Sequence, residues 1–190
     1  MTRTEKTRTF LGMRIVGDYN QGSLRKDQRP AGELGKLVRT VFADGVIDAV
    51  RWDQATPYFN DGDPCVFSAD GGSLRVRLVD RTLNEHEAQD AEDSADYRTS
   101  AEDFALGWVE TDTYGARDPF ALLVGRRTYD RGYSARIEGP HVELAKAVYA
   151  LKDAIGGGEF DDALLELFGD HATITVPASG DIEVQEYSHD

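Results

Sequence analysis

Between residues 30 and 78 the hydrophobic period of this chain switches from about 3.6 to 2, which limits the fold to one that mixes helices with strands. Pro30 precedes Leu34, Leu37, Val38, Val41 and Phe42, the stripe of an amphipathic helix, and Asp44-Gly45 closes it. Val46 to Trp52 reads as a buried strand and Cys65-Val66-Phe67 as a second. Leu74-Arg75-Val76-Arg77-Leu78 alternates with one apolar face, and Gly71-Gly72 reads as the turn before it. Strands at 46–52, 65–68 and 74–79 joined by short turns predict an antiparallel meander.

The rest of the chain repeats both periods. Thr9 to Val16 alternates loosely and suits an edge strand, and Phe104–Glu110 and Phe120–Val124 read as further strands. Val142, Ala145, Val148, Tyr149 and Ile155 form a second helical stripe, closed by the triple glycine 156–158. Phe160, Ala163, Leu164, Leu167 and Phe168 form a third, ending at Gly169. Ile174–Val176 and Ile182–Val184, across a Pro-Ala-Ser-Gly-Asp turn, predict a C-terminal hairpin. The expected fold is α+β: an antiparallel sheet, meander plus C-terminal hairpin, carrying about three amphipathic helices near 30–43, 140–155 and 159–168.

At 190 residues the chain has room for a single domain with a sizeable core. Its charge is unevenly placed. The net of −14 divides into +5 over residues 1–40 and −19 over the remainder. A basic N-terminal arm (1–29) on an acidic body suggests docking between copies, as a homo-oligomer, and the overall sign disfavours non-specific nucleic acid and anionic membrane. Residues 80–103 hold nine acids against Arg81 and Arg98 with few apolar anchors, the composition of a mobile acidic insertion. No apolar stretch approaches the roughly 20 residues of a membrane span, and Met1-Thr2-Arg3-Thr4-Glu5-Lys6 carries no leader-like apolar run, so the chain reads as cytoplasmic.

Catalytic patterns are missing. His86, His141, His171 and His189 show no metal-ligand spacing, and the single Cys65 can supply neither a disulfide nor a zinc cluster. Cys65 follows Asp63-Pro64, where acids oppose thiolate formation. Gly156-Gly157-Gly158 lacks the lysine and preceding strand of a phosphate loop. No catalytic residue, metal or cofactor is implied, and the reading leans away from an enzyme.

Two segments stand out as ligand-binding candidates. The first is the turn carrying Trp52, Gln54, Thr56, Tyr58, Phe59, Asn60 and Asp61, where rings and fixed amide or carboxylate groups suit a planar polar ligand; the rings could equally plug the end of the sheet. The second holds Arg126, Arg127, Tyr129, Arg131 and Tyr133. If extended, Arg127, Tyr129, Arg131 and Tyr133 share one face, fit for phosphate and base together, unless the body's own acids pair with the arginines.

Trp52-Asp53-Gln54-Ala55-Thr56-Pro57-Tyr58-Phe59-Asn60-Asp61-Gly62-Asp63-Pro64-Cys65-Val66-Phe67 resembles a signature, Trp-x-Gln-Tyr-Thr-Pro-Tyr-Phe-Asn-Asp-Gly-[Asp/Glu]-Pro-Cys-x-Phe, of uncharacterised bacterial and phage proteins. Phe168-Gly169-Asp170-His171 and Glu183 to Asp190 are similar to that group's ending. Ala55 replaces the usual tyrosine. The resemblance implies a bacterial or phage origin and no mechanism. Joining the two segments gives a non-enzymatic binder of a small anionic ligand, a nucleotide by type, which in a phage would sequester a defence signal in the host cytoplasm. The alternative is an acidic protein–protein interaction protein: a DNA mimic, an inhibitor or a virion component.

Overall fold

The computed structural model describes residues 9–17, 28–58, 65–79, 106–111, 119–129 and 135–186. The acidic stretch 80–103 and most of the basic arm 1–29 lie outside these. Among the described residues the strands are β1 (Thr9–Phe10), β2 (Met13–Val16), β3 (Ile47–Ala55), β4 (Ser68–Leu78), β5 (Trp108–Glu110), β6 (Arg126–Tyr129), β7 (Ala135–Glu138), β8 (Ala172–Pro177) and β9 (Ile182–Glu186). The helices are α1 (Ala31–Val41), the five-residue α2 (Pro119–Leu123), α3 (Val142–Gly156) and α4 (Asp161–Phe168). Seven strands form one sheet in the order β1-β2-β9-β8-β3-β4-β5, and β6-β7 form a separate hairpin.

The α+β class and the three longer helices are as expected, and β8 pairs antiparallel with β9 as the C-terminal hairpin. The sheet is mixed rather than wholly antiparallel, because β2 pairs parallel with β9 through Ile15↔Ile182. Leu11 and Gly12 make the hairpin between β1 and β2, both with positive φ (58° and 81°). Phe120–Val124 is not a strand: Phe120–Leu123 fall in α2, where Phe120 packs edge-on to Tyr149 of α3. Of Phe104–Glu110, the described strand is Trp108–Glu110.

The three-strand meander is overturned. Residues 68–78 are one strand, β4, running antiparallel to β3, and Cys65–Phe67 precede it without joining the sheet. Gly71-Gly72 belongs to a wide bulge, since Arg51 pairs with Arg75 and Asp53 with Asp70, leaving Trp52 opposite four residues. Asp70 holds the bulge by accepting the Gly72 N–H at 2.8 Å, and the Ser73 hydroxyl fills the gap by accepting the Asp53 N–H at 2.8 Å. Gly71 there serves close approach of a helix rather than chain reversal, a distinction that periodicity alone cannot make.

The helices cover one face of the sheet. α3 packs on β4 and on α1, and the core gathers Leu34, Val38, Trp52, Leu74, Val148, Ile155, Leu164 and Phe168. On β4 the side chains of Leu74, Val76 and Leu78 enter this core, so Arg75 and Arg77 take the opposite face by alternation. There Arg51 and Arg77 lie over Trp108, 4.2 and 5.4 Å from its ring centroid, and Arg77 pairs with Asp48 at 2.6 Å. No described helix is long and apolar enough to cross a membrane.

Candidate functional site

The end of β3 and the residues after it meet the segment at the end of α4, through Trp52 to Tyr58 of the first candidate segment. Trp52 packs edge-on against Phe168, with centroids 5.7 Å apart. The Gln54 amide donates to the carbonyls of Gly169 and, at 3.3 Å, Leu164, while its oxygen accepts the Trp52 indole N–H at 3.3 Å. The Thr56 N–H donates to Asp170 Oδ1 at 2.7 Å, and Tyr58 stacks on His171 with centroids 4.9 Å apart and planes 18° from parallel. Four alternate residues of one segment thus engage four consecutive residues of the other.

The burial along this ladder divides structural from available groups. Trp52 and Gln54 are 0% and 1% exposed, so neither presents a face or an amide to a ligand; they plug the sheet's end. Thr56 is half-buried, whereas Tyr58 is 76% exposed. Phe59, Asn60 and Asp61 lie outside the described residues. Behind Tyr58, His171 adopts a left-handed backbone (φ 53°), and its Nδ1 is buried without a hydrogen-bond partner. Asp170, itself buried, accepts the His171 N–H at 2.9 Å with the same Oδ1 that serves Thr56. Left-handed φ on a residue with a Cβ and an orphaned buried nitrogen are both costs, and they fall on the one residue that backs the exposed ring.

The second candidate segment forms β6 and pairs with β7, Tyr129 opposite Ala135. Arg131 and Tyr133 lie outside the described residues. Arg127 is held by Asp153 of α3 through two parallel bonds, 2.9 and 2.7 Å, and lies 4.4 Å over the Tyr149 ring, whose hydroxyl accepts the Arg127 N–H at 3.0 Å. Hydrogen bonding to Asp153 raises the guanidinium pKa above its ordinary value against the opposing effect of burial, with Tyr129 adding to the rise. Arg126 and Arg136 both reach Glu138, at 3.9 and 3.3 Å. Tyr129 is exposed.

A cleft of about 550 Å³ lies between the β4 bulge and the end of α3, lined by Ser68, Asp70, Gly71, Gly72, Lys152 and Asp153 among others. The two candidate segments border it without lining it. Ser68–Asp70 pair with Asp53–Ala55 on one side, and Asp153 holds Arg127 on the other. Of its charged lining, Asp70 and Asp153 stand against Lys152, and Arg127 neutralises Asp153. Asp153, Tyr149, Asp170 and His171 were not singled out as site residues; the Phe168–His171 part of the resemblance was the signal that pointed at two of them.

No group of three His, Cys, Asp or Glu side chains able to hold a metal occurs among the described residues. No protein-family model matches this sequence, and neither a curated protein nor a solved structure matches it significantly.

Proposed function

We propose that this protein is a non-enzymatic interaction module whose acidic body docks a basic protein partner. The observation that carries this reading is the bidentate Arg127–Asp153 pair: the arginine with the best claim to a ligand already has a counter-ion in the chain's own α3. Arg126 and Arg136 share Glu138, Arg29 lies between Glu33 and Glu159, and Arg14 pairs with Asp181. The chain carries a net of −14, and among the described residues Glu166, Glu183 and Glu186 add exposed carboxylates beyond those pairs. A field of that sign steers a cationic partner and repels a nucleotide.

The test is a calorimetric titration with a basic 12-residue peptide at about 0.15 M salt. A saturable one-to-one isotherm supports docking. Binding without defined stoichiometry, or none at that ionic strength, overturns it. A second reading, a small ligand of nucleotide type, is favoured by one observation, the glycine-walled cleft, whose volume of about 550 Å³ suits a small molecule. It requires nucleotides to stabilise the fold by RT ln(1 + [L]/Kd) and so to raise the melting temperature with concentration.

A further inference from the structure

We propose that the open face of Tyr58 is the docking point for an arginine side chain of that basic partner, an inference that rests on the interaction-module reading and names its contact. One face of the phenol ring lies flat on His171, and the residue is 76% exposed, so the other face is presented to solvent. The ring is held in advance. Asp170 Oδ1 accepts the backbone N–H groups of both His171 and Thr56, which ties the segment carrying the imidazole to the one carrying Tyr58 two residues on. A pre-positioned ring costs little side-chain entropy on binding.

The surroundings select charge. Asp170 precedes the stacked His171, and the exposed Glu186 pairs with Ala172, which follows it. A guanidinium satisfies both features at once: its plane stacks on the phenol and its N–H edge is free to meet carboxylates, whereas an ammonium offers only a point charge. A nucleobase would gain the stacking while its phosphate is repelled. The protein already uses this contact internally, with Arg51 4.2 Å over Trp108, Arg127 4.4 Å over Tyr149 and Arg29 4.9 Å over Phe160. Tyr58 offers the same kind of face to the outside.

The experiment compares two 12-residue peptides of equal charge, one of arginine and glycine and one of lysine and glycine, titrated into the full chain at about 0.15 M salt. The arginine peptide should bind more tightly to the wild type. Tyr58→Ala should weaken it by about three- to tenfold and erase the preference, while Tyr58→Phe, which keeps the ring, should retain both. Because Tyr58 is exposed, folding of the variants is confirmed by the emission of the buried Trp52 and Trp108. Equal binding of the two peptides, or an arginine preference that survives Tyr58→Ala, overturns the Tyr58 contact and leaves the acidic body standing. Failure of both peptides to bind the wild type overturns the interaction reading and this inference with it.

Discussion

Gly71 of β4 and Gly156 of α3 touch backbone to backbone: a Cβ on Gly71 would lie 2.9 Å from the Gly156 Cα and 2.6 Å from the Lys152 carbonyl oxygen. The obstructing atoms are all main chain and cannot rotate away. Gly71→Ala should therefore push α3 off the sheet and destabilise the protein by about 1–3 kcal/mol, read as a lower denaturation midpoint in urea. Gly32→Ala makes the control, for there the Cβ meets nothing and no positive φ opposes it. An equal loss at both positions would show that contact with α3 is not the cause.

Gln54 satisfies three buried groups with one amide. Gln54→Leu keeps most of the volume but strands the Trp52 indole N–H and the Gly169 carbonyl. The expected cost is about 2–4 kcal/mol, since each orphaned buried group costs about 1–3 kcal/mol. Thermal unfolding measures it, and a change below about 1 kcal/mol would place the bonds in competition with water instead.

The Arg127–Asp153 pair should stabilise without pH dependence in the ordinary range. A guanidinium pKa raised in the folded state gives stability that is complete below the unfolded value and is lost only as pH rises through the still higher folded value. Arg127→Ala should lower the melting temperature equally at about pH 6 and about pH 9. Asp153 is 58% exposed on its side chain, so screening limits the ionic part to about 0.5–1 kcal/mol. Arg127→Lys restores charge but neither the paired bonds nor the stack on Tyr149, and should recover less than half of the loss.

Both tryptophans of the chain are buried, Trp52 under α4 and Trp108 beneath two arginines on the far side of the sheet. Their fluorescence should be blue-shifted and protected from iodide until the protein unfolds. Arg51→Ala should red-shift and expose only the Trp108 component, resolved in a Trp52→Phe background. Unchanged quenching in that variant would mean that Arg51 does not shield the ring.

Much of the architecture was legible because a buried face leaves a period in the sequence. The stripes at Leu34–Phe42, Val142–Ile155 and Phe160–Phe168 each became a helix, and the C-terminal alternation became β8 and β9. Phe120–Val124 misled because so short an apolar run fits a buried helix as well as a strand. The candidate site was half legible. The Trp52–Tyr58 segment was located, but its partners Asp170 and His171 are more than a hundred residues away, and no local pattern announces such a contact.

What the sequence by itself determined is the α+β class, the three amphipathic helices, the C-terminal hairpin and the acidic field, because periodicity and charge are properties of neighbours along the chain. Tertiary structure alone decided that Gly71-Gly72 widens a strand instead of turning it, that β2 adds in parallel to β9, that Arg127 belongs to Asp153, and that Tyr58 is open. Each of these depends on which distant surface occupies the same space. A glycine admits either a turn or an approaching helix, and an arginine admits either a ligand or a carboxylate, until packing brings one of them within reach.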